Sequence, residues 1–236
     1  MAFACPKPGL YLSARAEIGT GVCFGANVRV WANAVIGDHS IIFDNVEIGA
    51  PGPGEIRALA RDTMDECTLD YLDELIERTT FLGARAMIRS NVQIYAGSQI
   101  GEEFDCGHFV NIREDCQIGH GVYAKVQTEV RREVVIGDHC TIAGLVGDRA
   151  TLGTDVVSYG SLVHDSRTGQ RNRMEAAPFL EQGAFVGRNA VVIGPVRVGE
   201  KAYIAAGATV LSDVPAGALV VGTRGRVLLG RSPLVG

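Results

Sequence analysis

Large apolar residues recur at every sixth position over most of the chain, and small or β-branched residues stand at nearly all of the positions four places after them. The first run of large residues is Leu12, Ile18, Phe24, Val30, Ile36, Ile42 and Ile48. The second is Leu82, Ile88, Ile94, Ile100, Cys106, Ile112 and Ile118. After a blurred stretch the register returns at Ile136 and Ile142, shifts by two residues, and continues at Val146, Leu152 and Ser158. The last block is Leu180, Val186, Val192, Val198, Ile204 and Val210.

A period of six fits neither an α-helix nor a simple alternating strand. It fits a short strand followed by a turn, with three such units closing one triangular coil. Large residues then stack on their equivalents in the next coil, and the backbones pair as parallel strands. Glycine, at 30 residues, serves the corners, where a positive φ or a close backbone approach is needed. The pattern therefore predicts one all-β domain over residues 1–236, with Cys106, Cys116 and Cys140 pointing inward.

Two segments interrupt this rhythm. Residues 51–81 begin with PGPG and then place Ile56, Leu59, Met64, Leu72 and Ile76, among others, at helical spacing, with acidic residues on the other face. They predict one or two inserted amphipathic helices that pack against the coils or another subunit, in preference to a substrate lid. Residues 164–179 form the second insertion, a polar loop rich in arginine.

Composition narrows the class of protein. The chain is 47% hydrophobic and has a net charge of -5, which argues against a nucleic-acid-binding protein. No apolar run approaches the ~20 residues that a membrane span needs. The first residues lack the pattern of a signal peptide, so a cytoplasmic location is the expectation. The six cysteines form no CxxC pair and no zinc-finger spacing, which predicts no metal site.

His164 is the first candidate for chemistry. Counting six from Ser158 puts it where a large inward residue is due, directly before the second insertion. A histidine at the mouth of a cleft suits proton transfer, because its pKa in water lies near 6.5. A loop histidine that tolerates the break is an equally good interpretation. His39, His120 and His139 stand in turns, and His108 in CGHF is a candidate for contact with substrate.

The stretches SYGSLVHDSR and FVGRNAVVIGPVRVGEKAYIAAGATVLSDVPAGALVVGTRGRV resemble the hexapeptide-repeat acyltransferases, which are left-handed β-helices and include galactoside and nucleotide-sugar acetyltransferases. The resemblance implies that His164 is a general base and that acetyl-CoA or another acyl-CoA is the co-substrate. It implies that the backbone at Ala206 and Gly207 meets the pantetheine arm and that Arg226 lies near the nucleotide phosphates. Leu211 and Ser212 stand where the family has Thr-Lys, so a phosphate-binding lysine is absent, and Arg224 is placed to supply its charge.

On this reading the protein transfers an acyl group to an amine or hydroxyl of a sugar, a nucleotide sugar or another small metabolite. Asp165 would orient the His164 imidazole. Arg167, Arg171 and Arg173 would hold an anionic substrate or the CoA phosphates, because a guanidinium suits phosphate geometry, although a solvated basic loop is an equal alternative. The family's active site lies between subunits, so a homotrimer is expected.

Two other functions remain open at this stage. A γ-class carbonic anhydrase shares the prism fold but needs three converging zinc-binding histidines, and the spacing of His108, His120 and His139 does not favour this. A non-catalytic scaffold is the third possibility. It gives no reason for a histidine and a basic loop at a break in the coil.

Overall fold

The computed structural model describes residues 8–62, 69–164 and 177–222, and these residues wind into a three-sided prism. Its sides are three parallel sheets, A, B and C, of ten, nine and ten strands. Each turn of the chain visits the sheets in the order A, B, C, and each strand pairs with the equivalent strand of the next coil. The structure is thus a parallel β-helix, which confirms the fold class predicted from the six-residue period.

The strands are short, and most contain two residues. Sheet A contains β1 (Tyr11–Leu12), β4 (Arg29–Val30), β7 (Glu47–Ala50), β10 (Gln93–Tyr95), β13 (Asn111–Ile112), β16 (Glu129–Val130), β19 (Leu145–Val146), β22 (Ser161–Val163), β25 (Val191–Ile193) and β28 (Thr209–Val210). Sheet B contains β2 (Glu17–Ile18), β5 (Ala34–Ile36), β8 (Thr80–Leu82), β11 (Gln99–Ile100), β14 (Gln117–Ile118), β17 (Val135–Ile136), β20 (Thr151–Leu152), β23 (Phe179–Leu180) and β26 (Arg197–Val198). Sheet C contains β3 (Cys23–Phe24), β6 (Ile41–Ile42), β9 (Met87–Ile88), β12 (Asp105–Cys106), β15 (Tyr123–Ala124), β18 (Thr141–Ile142), β21 (Val157–Ser158), β24 (Phe185–Val186), β27 (Tyr203–Ile204) and β29 (Leu219–Val220). Two helices, α1 (Pro53–Asp62) and α2 (Leu69–Glu74), lie between β7 and β8.

The large residue of each six-residue unit points into the prism. Leu12 pairs with Val30 in the next coil, which is 18 residues further along the chain. Ile36, Ile42 and Ile48 are fully buried, and so are Cys106, Cys116 and Cys140, as the sequence predicts. Leu12 and Ile18 are partly exposed because no described coil precedes theirs. The core is therefore a column of aliphatic side chains along the prism axis.

The corners are named here by the sheets that meet there: AB, BC and CA. At the BC corner a glycine follows most of the inward residues of sheet B. A Cβ on Gly37 would lie 2.4 Å from the backbone nitrogen of Ala84 in the next coil, so this glycine is required by close approach. Positive φ angles are instead often taken by polar residues, including His39 and His139, whose side chains are exposed at this corner as predicted.

Shortened turns correct the predicted position of His164. The shift after Ile142 is present, but a second one follows, and Leu162 rather than His164 takes the inward place after Ser158. Leu162 is fully buried and pairs with Val146 on one side and Val192 on the other. Gly160 permits the tight turn, because a Cβ there would lie 2.4 Å from the carbonyl oxygen of Ala190. His164 therefore lies two residues beyond the core position.

The helical segment is fixed to the first coils by a second, small core and by buried polar contacts. Ile76 is fully buried with Trp31, Ala32, Ala50 and Ala96. The Asp73 carboxylate accepts hydrogen bonds from the Ser13 hydroxyl at 2.5 Å and from the backbone N–H of Ala32 at 2.7 Å. Neither helix, nor any other part of the described chain, is long and apolar enough to span a membrane.

Candidate functional site

Both interruptions of the repeat leave the prism at the same corner. The helical segment connects β7 of sheet A to β8 of sheet B, and residues 164–178 connect β22 of sheet A to β23 of sheet B. The two connections are five coils apart, because β10, β13, β16 and β19 lie between β7 and β22 in sheet A. At about 4.8 Å per coil this is about 24 Å. The AB corner is therefore a strip bounded by the helices at one end and by His164 at the other.

The pairing of β22 positions His164. Val163 lies opposite Ile193 in β25, and the backbone N–H of Gly194 donates to the Val163 carbonyl at 2.8 Å. His164 is the first residue after this strand and is half-buried. The backbone that precedes its side chain is thus held on both sides by the parallel ladder, since β22 lies between β19 and β25.

A cavity of about 660 Å³, the His164 groove, opens beside this side chain. It is lined by Arg131, Leu145, Gly147, Asp148, Val163, His164, Ile193, Gly194, Pro195 and Leu211. These residues come from sheet A and from the AB turns that follow β16, β19, β22, β25 and β28. Most of the wall is apolar.

The groove can support proton transfer at its histidine. A neutral imidazole accepts a proton from an amine or hydroxyl, and apolar walls keep competing water away. The two charged residues of the lining have partners outside it: Arg131 lies 3.0 Å from a Glu129 carboxylate oxygen, and Asp148 accepts a hydrogen bond from the Arg132 backbone N–H at 3.1 Å. The imidazole is the ionisable group of this groove best suited to act as a base.

A second cavity, of about 810 Å³, lies between the helices and the AB corner and is called the insertion groove. It is lined by Pro53, Gly54, Glu55, Arg57, Leu75, Arg78, Arg113, Glu114, Asp115, Arg131, Arg132, Glu133 and Asp148. Arg131 and Asp148 line both cavities, so the two grooves adjoin along the corner. The insertion groove is strongly charged, in contrast to the His164 groove.

A buried ion pair forms part of its floor. The Arg113 guanidinium donates to both Glu114 carboxylate oxygens, at 2.9 and 3.0 Å, and the Glu114 side chain is only 5% exposed. Burial alone would raise the pKa of Glu114, but the hydrogen bonds from Arg113 outweigh it and lower the pKa. Gly52, in the segment that leads into α1, packs on this carboxylate: a Cβ there would lie 2.6 Å from Glu114 Oε1. The start of the helical segment therefore rests on the floor of the groove.

Other residues proposed from the sequence lie at a different corner. Ala206 and Gly207 are exposed in the turn between β27 and β28, at the CA corner. His108 is exposed at the CA corner too, but it follows β12, five coils before β27. Within one chain, the structure thus brings none of these residues into the groove beside His164. Asp165, Arg167, Arg171, Arg173, Arg224 and Arg226 lie outside the described residues.

The charged floor of the insertion groove was not identified from the sequence. Arg113, Arg131 and Arg132 appear there as charges in turns or, in TEVRREVV, as a blurring of the repeat. A signal was present: Arg113 and Arg131 are 18 residues apart, each directly after an inward residue of sheet A. Residues one coil apart stack at the same corner, so this spacing marks a row of charges.

The five histidines do not converge. His39, His120 and His139 lie at the BC corner, His108 at the CA corner and His164 at the AB corner. Within the segments that the structure describes, no three histidine, cysteine or acidic side chains are close enough to hold a metal ion. The arrangement gives no support to a three-histidine zinc centre within one chain.

Comparison with known proteins agrees with the fold. Residues 180–212 match a family model described as the hexapeptide repeat of succinyl-transferase. The Bifunctional protein GlmU of Bacillus velezensis is 30% identical over 197 residues, which cover 83% of this chain and 39% of that protein. Its counterpart from Bacillus subtilis is 32% identical over 200 residues, with the same coverage. A solved structure of UDP-N-acetylglucosamine acyltransferase from Campylobacter jejuni covers 92% of this chain and 71% of that one, with a TM-score of 0.43 and 19% identity.

The three-sheet β-helix, its six-residue register and the match to the repeat model place the chain in the hexapeptide-repeat family. The chain spans about two fifths of the length of the curated relatives named above, at 39% in each case. The activity of those longer proteins is considered next as a proposal for this chain.

Proposed function

We propose that the protein is an acyltransferase that uses acetyl-CoA or another acyl-CoA and acts on an amine or hydroxyl of a sugar, a nucleotide sugar or another small metabolite. The observation that carries this proposal is the position of His164, half-buried at the end of β22 beside an apolar groove of about 660 Å³. The resemblance of the C-terminal coils to acyltransferase repeats, and the repeat model matched by residues 180–212, support the same reaction class.

In this mechanism His164 acts as the general base. Its imidazole takes the proton from the acceptor amine or hydroxyl as that group attacks the thioester carbonyl carbon. A backbone N–H stabilises the negative charge that develops on the carbonyl oxygen. The carbon–sulfur bond then breaks, the imidazolium returns its proton to the leaving sulfur, and CoA departs as the free thiol. The products are the acylated acceptor and CoA.

Acyl-CoA is proposed to be held by a neighbouring subunit. Ala206 and Gly207 would contact the pantetheine arm, but they lie at the CA corner, whereas His164 follows β22 at the AB corner. These two corners are the two edges of sheet A, and a side of six residues spans up to about 20 Å. A homotrimer with sheet A facing the threefold axis would bring the CA corner of one chain to the AB corner of the next. The complete site then lies between chains.

The residues outside the described segments keep the roles that the resemblance implies. Asp165 would orient His164, Arg167, Arg171 and Arg173 would bind an anionic substrate or the CoA phosphates, and Arg224 and Arg226 would lie near those phosphates. His108 remains a candidate for substrate contact through a neighbouring chain. The use of acyl-CoA favours a cytoplasmic location.

Release of free thiol from acetyl-CoA tests the reaction class. The purified protein is incubated with acetyl-CoA and a panel of amino sugars, sugar phosphates and nucleotide sugars, and the thiol is measured with a chromogenic disulfide. Release that depends on one acceptor class supports the proposal. If no acceptor gives release and acetyl-CoA does not bind by calorimetry, the protein is a scaffold and the proposal fails.

A further inference from the structure

The insertion groove has a chemistry that the proposed reaction at His164 does not by itself require. One end of the AB strip, around His164, is lined mainly by apolar side chains, and the other end is lined by five arginines and five acidic residues. Arg131 and Asp148 belong to both ends. A ligand with its reactive group at His164 could therefore extend continuously from the apolar end into the charged end.

The helical wall of this groove is held in a fixed position. Arg78 lies 2.5 Å from a Glu55 oxygen in α1 and 2.7 Å from an Asp115 oxygen in the floor, so it ties the helix to the prism. On the far side, the Arg15 guanidinium donates to the backbone carbonyls of Asp73 and Ile76. Together with the burial of Ile76, these contacts make the helical segment a fixed wall rather than a movable lid.

The pairing of charges identifies the residue that remains for a ligand. Four of the five arginines have carboxylate partners: Arg78 with Glu55 and Asp115, Arg113 with Glu114, Arg131 with Glu129, and Arg132 with Asp148. The fifth, Arg57 of α1, is exposed and has no ion-pair partner among the described residues. It is therefore the guanidinium best placed to bind an anion.

The length of the groove sets the shape of that ligand. Its floor is made by the turns after β13, β16 and β19, and β22 with His164 comes next. The turn after β13 is thus three coils from His164, or about 14 Å at about 4.8 Å per coil. A small uncharged acceptor would occupy only the His164 end, whereas an elongated acceptor with an anionic group at its far end would use both.

We propose that α1 is an acceptor-binding element and that Arg57 binds an anionic group, a phosphate or a carboxylate, at the end of the acceptor remote from the acylated amine or hydroxyl. This inference rests on the proposed acyl transfer and names the acceptor class: an elongated, anionic molecule. Arg57 acts as a specificity-determining residue, and the fixed contacts of Arg78 hold its helix at the right place.

Anion binding by Arg57 can be measured without knowing the acceptor. Pyrophosphate, inorganic phosphate and succinate are titrated into the protein by calorimetry, with CoA present so that the CoA site is filled. Arg57→Ala is compared with Arg85→Ala, because Arg85 is exposed at the BC corner, away from both grooves. Circular dichroism and thermal unfolding check that both variants keep the fold, and Arg57→Lys tests whether charge alone suffices.

At least one of the three anions is expected to bind, more weakly at high salt, and Arg57→Ala is expected to weaken it by at least about tenfold while Arg85→Ala does not. The phosphate and succinate titrations distinguish a phosphate-bearing from a carboxylate-bearing acceptor. If none of the anions binds, or if the two variants bind alike, the inference is overturned. Acetyl-CoA binding and thiol release are measured separately, so acyl transfer can stand when the role of Arg57 fails.

Discussion

Leu162 pairs with Val192, 30 residues further along the chain, and both side chains are fully buried. This pairing carries the β-helix across the second interruption, because β22 and β25 lie side by side although a loop separates them in sequence. It also fixes where His164 emerges. The candidate base thus follows directly from a core contact.

His164→Ala is expected to reduce the rate of acyl transfer by about 10²–10⁴-fold, the usual contribution of a general base. The fold should survive, because the side chain is half-buried and lies outside the core column. Thiol release from acetyl-CoA is the measurement. His120→Ala, at the exposed BC corner, is the control and should leave the rate unchanged. Equal rates for the two variants would remove His164 from the mechanism.

Leu162→Ala is expected to destabilise the protein by about 2–5 kcal/mol, because it removes a fully buried side chain and leaves a cavity in the column. Leu219 is 63% exposed, so Leu219→Ala should change the stability by no more than about 0.5 kcal/mol. Urea unfolding of both variants measures the difference. A small effect at Leu162 would show that the inward register of this strand is wrong.

The period of six predicted the β-helix because each inward position is decided locally, by the size and polarity of one side chain. The location of His164 could not be predicted in the same way. Shortening a turn by two residues changes the count without changing the composition, and it is decided by whether Gly160 can approach the Ala190 carbonyl in the next coil. The shared corner of the two insertions likewise depends on the number of coils between them, so neither groove was apparent from a local pattern.

Gly37→Ala is expected to destabilise the protein, because the new Cβ would lie 2.4 Å from the Ala84 backbone nitrogen, which no side-chain movement can relieve. Gly54, in α1, has open space around it, and Gly54→Ala should stabilise by about 0.4–1 kcal/mol by restricting the unfolded chain. The two variants therefore shift the thermal unfolding midpoint in opposite directions. Shifts of the same sign would contradict the close stacking of coils at the BC corner.

Cysteine labelling tests the inward positions by their reactivity. Burial raises the pKa of Cys106 and Cys116 to about 12 and that of Cys140 to about 11, so these thiols carry almost no thiolate at pH 8. Cys23 is exposed. Iodoacetamide at pH 8 should label Cys23 and spare the other three in the folded protein, as followed by peptide mass spectrometry, and urea should expose all four. Rapid labelling of Cys106 in the folded state would contradict the core described here.

The proposed site joins two chains, and a crystal structure of the protein with acetyl-CoA tests this most directly. The account predicts a trimer in which the thioester lies in the His164 groove of one chain, within hydrogen-bonding reach of the path between imidazole and carbonyl carbon, while the pantetheine arm runs along Ala206 and Gly207 of its neighbour. Acetyl-CoA bound away from His164, or a monomer that binds it fully within one chain, would contradict the account.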